Sequence, residues 1–325
     1  MPRAFSMAQE QDILKLPAPK RPPQYTSRRI GIHTSVAGGP ETAAERAWRL
    51  GANALQIFSS SPRQWQPYTL TAAQCAEMAR LRQKYDLKPL AIHANYLINL
   101  AAVNPEFYAK SVASFRGEVE RALALGAECL VVHPGSHRGM SRDQGLARAA
   151  QAVRQAVAGL RLDALTILIE NTAGAEHSLG GSFEQVRELL ERLGGLVPVA
   201  ACIDTCHTHV AGYDIVSEAG YAATMAHLER TVGLGNVRVW HMNDAKAARG
   251  SRLDRHHHIG RGTLGLEPFR RLLNDPRTAQ AAFLAETPID KPGDDLRNVA
   301  RLKSLVNERG PRKGRMSQRT TDKPR

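Results

Sequence analysis

Short apolar runs in this 325-residue chain repeatedly end at a residue that can bind a metal ion. Successive run ends lie 40, 37, 34, 37 and 45 residues apart, which is about the length of one strand followed by one helix. The six runs are LAIH ending at His93, LVVH at His133, ILIE at Glu170, ACID at Asp204, RVWH at His241 and FLAE at Glu286. Buried strands that each end on a ligand residue gather those residues on one face, so the pattern predicts both a fold and a chemistry.

Eight stretches of the chain have the character of short strands that are buried on both faces, because they are mostly apolar and bounded by turn residues. They are residues 29–35, 53–59, 89–94, 129–134, 166–172, 199–205, 237–243 and 282–287. Helical patterns alternate with them, most clearly at 41–50, 71–85, 107–126 and 182–194. This alternation is compatible with a closed (β/α)8 barrel and with an open doubly wound sheet. We predict the α/β class with a single TIM-barrel domain, because ligands from six successive strands would not converge in an open sheet.

The two ends of the chain differ in composition from its interior. Residues 1–27 are rich in proline and residues 309–325 lack apolar periodicity, so we predict disordered basic tails around a barrel domain at 28–308. The tails carry most of the net charge of +13: residues 1–29 hold six basic and two acidic residues, and 309–325 hold seven and one. Such tails either make weak, salt-sensitive contacts with a polyanion or serve only solubility.

The sequence also bears on the compartment in which the protein works. No apolar run approaches the roughly 18 residues that a membrane span needs, and no apolar block resembles a secretory signal. The four cysteines form no CxxC pair, which argues against a thiolate zinc site and favours buried free thiols: Cys75, Cys129, Cys202 and Cys206. We therefore expect a cytoplasmic protein without membrane contact.

Imidazole and carboxylate ligands together suit zinc, and less often manganese or iron. A single histidine at a strand end is more often a packed residue, but six strand-end histidines and carboxylates together favour a metal site. Burying a carboxylate costs free energy unless it is paired or bound to a metal. A second group lies on loops, with His207 in DTCH and with Asp254 and His256 in DRHHH. Three such residues are sufficient for a further zinc ion that keeps open positions for water or substrate.

Other motifs in the chain carry less specific signals. No GxSxG nucleophile motif occurs, and Gly260–Gly265 matches GxGxxG only after a polar loop, so we interpret it as a tight turn and expect no nucleotide cofactor. The loop after the second predicted strand presents Arg63, Gln64 and Trp65, which could contact phosphate or stack on bases, although Trp65 alone suggests packing. Tyr96 follows the candidate ligand His93 closely.

These motifs closely resemble the endonuclease IV family of apurinic/apyrimidinic endonucleases, in order over roughly residues 29–308. The matching segments are GIHTSVAGG, RQW, YLINL, HPGSH, IENTAG, CIDTCH, AGYD, HMNDAK, GSRLDRHH and LAET. The resemblance implies three Zn²⁺ ions, with Mn²⁺ as an alternative at one or more sites. It assigns His93, His133 and Glu170 to the first ion. Glu170 bridges to the second, which is completed by Asp204, His241 and Glu286, and the third ion is held by His207, Asp254 and His256.

The same resemblance implies a hydrolase of base excision repair that acts as a monomer on duplex DNA containing abasic sites, within the nucleoid. It would hydrolyse the phosphodiester bond 5′ to the abasic site and leave a 3′-hydroxyl and a 5′-deoxyribose phosphate. Glu170 and Glu286 would have catalytic roles, the first as the bridge between two ions and the second in orienting the attacking water. DNA contacts are implied for Arg63, Gln64 and Tyr96. The chain departs from the family pattern at Ser61 and at Ala94–Asn95.

Two other functions remain compatible with parts of the sequence. A divalent-metal sugar isomerase or epimerase would use strand-end ligands on the same barrel, but it would not require the His207, Asp254 and His256 group. A non-enzymatic DNA-binding protein would use the basic tails and would need no metal ligands.

Overall fold

The computed structural model describes residues 12–65 and 68–307, and eight parallel strands in this part of the chain close into a barrel. The barrel strands are β1 (Arg29–His33), β2 (Ala54–Phe58), β3 (Leu90–His93), β4 (Cys129–Val132), β5 (Thr166–Glu170), β6 (Val199–Asp204), β7 (Val237–His241) and β10 (Ala282–Ala285). Between β7 and β10, β8 (Asp244–Ala245) and β9 (His256–His257) form an antiparallel hairpin.

Barrel closure decides between the two architectures that the alternating pattern allowed. Strand β1 pairs with β2 on one side and with β10 on the other, where Ile30 lies opposite Phe283. The predicted TIM barrel is therefore confirmed, and each of the eight predicted strands lies within two residues of its observed bounds. The open doubly wound sheet is excluded because such a sheet has two unpaired edges.

Helices cover the outside of the barrel. They are α1 (Pro40–Arg49), α2 (Ala72–Tyr85), α3 (Pro105–Ala124), α4 (Arg142–Val157), α5 (Phe183–Leu193), α6 (Thr205–Val210), α7 (Glu218–Thr231), α8 (Glu267–Asn274) and α9 (Asp294–Ser304). The four predicted helical patterns correspond to α1, α2, α3 and α5. Local sequence explains where several helices begin, because Thr71 and Ser141 form capping boxes with a glutamine three residues later.

The inside of the barrel is filled by small and medium-sized side chains from alternate strand positions. They are Ala54, Ala91, Cys129, Val131, Leu168, Ala200, Cys202, Val239, Ala282 and Leu284. Side chains alternate across a strand with a period of two, so the residue two positions beyond an inward-facing one also faces inward. Two residues beyond Ala91 is His93, and two beyond Leu168 is Glu170. The interior layer therefore carries the candidate ligands above it at the carboxyl end of the barrel.

Residues 1–11 of the predicted N-terminal tail and the whole predicted C-terminal tail lie outside the described residues, which begin at Asp12 and end at Asn307. In the described part of the N-terminal segment, the Asp12 carboxylate contacts Arg46 of α1 at 2.6 Å. The Tyr25 hydroxyl donates a hydrogen bond to the carbonyl of Tyr85 at 2.7 Å. Contacts with the barrel domain thus already occur before residue 28. None of the described helices is long and apolar enough to cross a membrane.

Candidate metal centre

All nine candidate ligands lie at the carboxyl end of the barrel, where they form three groups of imidazoles and carboxylates, and two of these groups share Glu170. Two further groupings there include a cysteine, Cys202 or Cys206. Four of them are the last residues of their strands: His93, Glu170, Asp204 and His241. His133 and Glu286 directly follow β4 and β10, and the remaining three lie on α6 and around the β8–β9 hairpin. Parallel strands bring residues that are up to 193 positions apart, from His93 to Glu286, to one end of the barrel.

The first group consists of His93, His133 and Glu170, whose ligand atoms lie within 4.8 Å of one another. Oε2 of Glu170 is 3.2 Å from Nε2 of His93 and 3.1 Å from Nε2 of His133. Glu170 is fully buried and His133 is half-buried, so the group opens toward solvent on the His133 side.

The second group shares Glu170 and adds Asp204, His241 and Glu286. The other oxygen of Glu170, Oε1, lies 2.8 Å from Nδ1 of His241. Nδ1 of His241 is in turn 3.3 Å from Oε2 of Glu286. Because its two carboxylate oxygens face different groups, Glu170 occupies the position of a bridging ligand.

The third group consists of His207, Asp254 and His256. The two oxygens of Asp254 lie 3.3 Å from Nε2 of His207 and 3.3 Å from Nε2 of His256. Asp204 begins α6 as its N-cap and accepts a hydrogen bond from the His207 N–H at 2.8 Å. This cap explains the DTCH spacing, because it places a ligand of the second group beside a ligand of the third.

Hydrogen bonds to main-chain carbonyls orient three of the imidazoles. Nδ1 of His93 faces the carbonyl of Ala94 at 2.8 Å, and Nδ1 of His207 faces that of Asn171 at 2.8 Å. Nδ1 of His256 faces the carbonyl of Glu286 at 3.1 Å. A proton on Nδ1 satisfies each carbonyl and leaves Nε2 unprotonated toward the cluster, which is the arrangement of metal-binding histidines.

One buried atom in the centre is left without a hydrogen bond. Nε2 of His256 has no hydrogen-bond partner among the residues that the structure describes, although it is shielded from solvent. Carboxylate oxygens of Asp254 and Asp204 lie 3.3 and 3.7 Å away. A cation placed among these atoms would satisfy all of them, so the donor set fits a metal ion.

The pKa shifts of two candidate ligands also favour positive charge at the centre. Burial tends to raise the pKa of Glu170, but the imidazoles of His241 and His133 hold that pKa well below its usual range. Burial alone would lower the pKa of His241, but the carboxylates of Glu286 and Glu170 raise it to about 9. Positive charge is therefore strongly favoured at this centre.

Several residues that support the ligands were not predicted from the sequence. Gln56 is fully buried, and its side-chain nitrogen donates to Oε1 of Glu286 at 2.5 Å and to Nδ1 of His33 at 3.1 Å. Asn243 donates to Oδ2 of Asp204 at 2.6 Å. Two features of the sequence could have identified them: Gln56 is a polar residue inside the apolar run ALQIF, and His33 ends β1. Both lie at strand positions whose side chains face the inside of the barrel.

The residues predicted to contact DNA are exposed, and one of them, Tyr96, lies beside a candidate ligand. Tyr96 is 61% exposed although its ring lies 5.6 Å from that of His93 and 5.1 Å from that of Phe58. Arg63 and Gln64 are exposed on the loop after β2. Trp65 packs edge-on against Phe107, as expected for a packing residue.

A cleft of about 280 Å³ lies beside the candidate ligands and is lined by His133, Asp254 and Tyr96. A larger cleft of about 640 Å³ around Tyr213 contains none of the nine candidate ligands.

Comparison with known proteins first defines the class. The family model described as a xylose isomerase-like TIM barrel matches residues 44–305. A D-tagatose 3-epimerase-like protein shares the fold, with a TM-score of 0.62 at 19% identity, covering 85% of this chain and 96% of that chain. The chain is thus a TIM barrel of the xylose isomerase-like class.

Closer relatives define the family. The probable endonuclease 4 of Solibacter usitatus is 48% identical over 285 residues, covering 87% of this chain and 98% of the relative. That of Chloroflexus aurantiacus is 40% identical over 279 residues, covering 86% and 98%. The crystal structure of endonuclease IV from Thermus thermophilus has a TM-score of 0.76 at 38% identity, covering 85% and 98%. The chain belongs to the endonuclease IV family, which confirms the resemblance and the expected class of enzyme.

Proposed function

We propose that this enzyme hydrolyses the phosphodiester bond 5′ to an abasic site in duplex DNA, and that it uses three zinc ions to do so. The products would be a 3′-hydroxyl and a 5′-deoxyribose phosphate. The observation that carries the proposal is that nine imidazole and carboxylate residues make up three potential ligand groups, two of which share Glu170. Membership of the endonuclease IV family supports the choice of DNA as substrate.

In this proposal the first ion is held by His93, His133 and Glu170. The second is held by Glu170, Asp204, His241 and Glu286, and the third by His207, Asp254 and His256. Imidazole and carboxylate donors favour zinc, with manganese as the alternative at one or more sites. Bound zinc would supply a Lewis acid for the phosphate and would lower the pKa of water toward about 7.

The protein's own residues would prepare this chemistry by positioning. Glu170 would act as the bridge, since its two oxygens face different imidazoles. Glu286 would orient the attacking water through one carboxylate oxygen while Gln56 holds the other. Burial raises the pKa of the thiols of Cys202 and Cys206, which makes either a poor nucleophile and favours attack by water.

The DNA contacts proposed for Arg63, Gln64 and Tyr96 fit the exposure of all three residues, and Tyr96 lies beside the ligand His93. An abasic nucleotide has no base to stack, so extruding it from the duplex costs less than extruding an intact nucleotide. The cleft of about 280 Å³ beside His133 and Asp254 could receive its sugar and phosphate. Selectivity would then not require any reading of a base.

We further propose that the enzyme acts as a monomer in the cytoplasm, on DNA of the nucleoid. The monomer is supported by the origin of all nine ligands in one chain. The compartment is supported by Cys75, Cys129, Cys202 and Cys206, which are all free thiols.

Two measurements test the proposal: elemental analysis of the purified protein, and its incubation with a duplex that carries one abasic site. We expect three zinc ions per chain, a single nick 5′ to the abasic site, and loss of cleavage after treatment with a chelator. Fully loaded protein that leaves the duplex intact would refute the proposed reaction. One or two ions per chain together with turnover of a ketose sugar would instead favour an isomerase or epimerase.

The substitution Glu170→Gln separates the enzyme from a DNA-binding protein that acts through its tails. We expect it to abolish cleavage almost completely, because it removes the bridging charge from two ligand groups. Glu128→Gln is a matched control, since Glu128 lies near the amino end of β4 and contacts Arg82 at 2.6 Å. Full biological activity of the Glu170→Gln variant would support the non-enzymatic alternative.

A further inference from the structure

One buried amide connects the two segments that carry the proposed DNA contacts. Asn95 lies two residues beyond the candidate ligand His93 and is 4% exposed. Its side-chain nitrogen donates to the carbonyls of Ser61 and Gln64, both at 2.8 Å. Its side-chain oxygen accepts from the N–H of Leu97 at 2.8 Å. The two donated bonds therefore join the segment after β3 to the loop after β2, and the accepted bond fixes the amide within its own segment.

The two bonds donated by Asn95 are received by the loop Ser59–Trp65, the β2 loop. The start of the β2 loop has separate hydrogen bonds to α3. Glu118 of α3 is 1% exposed and accepts hydrogen bonds from the hydroxyls of Ser59 and Ser60. Arg121 donates to the hydroxyl oxygen of Ser59 at 2.7 Å. The start of the β2 loop is thus bound to α3, while its tip is bound to Asn95.

Without Asn95 the tip would have little internal support. The hydrogen bond that closes the turn runs from the Gln64 N–H to the Ser61 carbonyl and is long, at 3.3 Å. Arg63 and Gln64 are exposed, so their own side chains contribute little burial to hold the tip in place. Among the residues that the structure describes, the two bonds from Asn95 are therefore the side-chain hydrogen bonds that hold the tip relative to Tyr96.

We infer that Asn95 is a positioning residue that holds the β2 loop in its DNA-binding shape before DNA arrives. Preforming the loop removes an ordering cost that would otherwise be subtracted from the binding free energy. The consequence for DNA rests on the proposed function, whereas the consequence for the loop does not.

The variant Asn95→Ala removes both donors and can be compared with Asn53→Ala. Asn53 is also a buried asparagine, 5% exposed, and its side chain binds the Arg28 carbonyl and the Ile30 N–H near the amino end of the barrel. For cleavage of the abasic duplex, Asn95→Ala should raise KM about ten-fold with kcat within about three-fold of wild type. Metal content should stay unchanged. Asn53→Ala should lower the Tm but leave KM unchanged.

Limited proteolysis measures the loop without DNA. Trypsin cleaves after arginine, so cleavage after Arg63 reports how often the β2 loop opens. We expect cleavage at this bond, relative to other sites, to be about ten-fold faster in Asn95→Ala than in wild type or Asn53→Ala. Should Asn95→Ala fold poorly, Asn95→Asp keeps the size and the acceptor for Leu97 but lacks both donors, and it should show the same faster cleavage.

The outcomes separate the two proposals. Faster cleavage after Arg63 together with a selective rise in KM supports the positioning role of Asn95. Wild-type protection of Arg63 in both Asn95 variants overturns it, as does a KM that equals that of Asn53→Ala. Failure of the wild-type enzyme to nick abasic DNA would overturn the proposed function, and the proteolysis result would still decide whether Asn95 holds the loop.

Discussion

The side-chain oxygen of Gln56 accepts a hydrogen bond from Nε2 of His241 at 2.9 Å, and both residues are fully buried inside the barrel. This bond requires a proton on Nε2 of His241, so Nδ1 is the nitrogen that faces Glu170 and Glu286. The nitrogen of the same amide holds Glu286. A single side chain therefore orients two candidate ligands of the second group.

Replacing Gln56 by leucine should weaken metal binding at the second group. The substitution keeps the volume but frees the His241 ring and one Glu286 oxygen, and loss of such supporting contacts typically costs about 10- to 100-fold in metal affinity. Titration with a competing chelator measures this effect. Gln185→Leu, which removes an amide that binds the Gly180 N–H, is the matched control. Equal metal affinity of the Gln56→Leu and wild-type proteins would contradict the role of Gln56.

Replacing Asp254 by asparagine should remove the third ion alone. The Asp254 side chain is 51% exposed on a loop, so the change should leave the fold intact while the metal content falls from three ions to two. Cleavage should fall by about 10²- to 10³-fold, as expected when one stabiliser of transition-state charge is lost. Asp290→Asn is a close control, because Asp290 is 60% exposed and lies 3.3 Å from Nε2 of His258, outside the three groups. Three ions in the Asp254→Asn protein would disprove the assignment.

Removing the metal ions should weaken DNA binding even where the fold persists. Three Zn²⁺ ions would add six positive charges opposite the four ligand carboxylates, in a barrel whose residues 30–308 carry a net charge of only +3. We expect the metal-free protein to bind the abasic duplex at least about ten-fold more weakly and with a shallower salt dependence. Circular dichroism would confirm the fold, and reloading with zinc should restore the affinity. Equal affinity of both forms at several salt concentrations would rule out this effect.

Stability in acid should depend on Asp214, which lies in the turn before α7. The Ser217 hydroxyl, together with the N–H groups of Ser217 and Val216 and with Arg249, lowers the pKa of Asp214 to about 2. Because this folded-state pKa lies below the value of about 3.9 in unfolded chains, the stabilisation is complete above about pH 5 and is lost as the pH falls toward 2.

Thermal unfolding of Asp214→Ala across this pH range measures the contribution. We expect a Tm about 2–4 °C below wild type at pH 6, equivalent to about 1 kcal/mol, and a smaller difference at each step below pH 4. Glu191→Ala removes an exposed carboxylate, 59% exposed, that pairs with Arg187 on α5, and should shift the Tm by less than about 1 °C at pH 6. A difference that grows on acidification would contradict the assigned direction.

The predictable part of the fold came from strands that are buried on both faces. Runs such as LVVH and ILIE are apolar on both faces, as expected for strands of a sheet that is covered on both sides, so their order and approximate bounds were predicted correctly. Gln56 lies within its strand, so a pattern of strand-end ligands does not include it, and His33 ends β1 outside the six runs that form that pattern. The alternation of side chains along a strand already placed both residues on its inward-facing side. Only the folded barrel shows that the two side chains contact each other across neighbouring strands.

Local sequence was sufficient to show that six strands end at an imidazole or a carboxylate, and it predicted that these side chains gather at one end of a parallel barrel; closure of the barrel was seen only in the structure. Strand burial and the period of two act within a few residues, so the chain alone reveals them. The folded barrel was needed to establish that the two oxygens of Glu170 face separate groups, that Gln56 orients His241 across 185 residues, and that Asn95 holds the β2 loop. These relationships depend on distances between side chains from different strands, and such distances exist only after the barrel has closed.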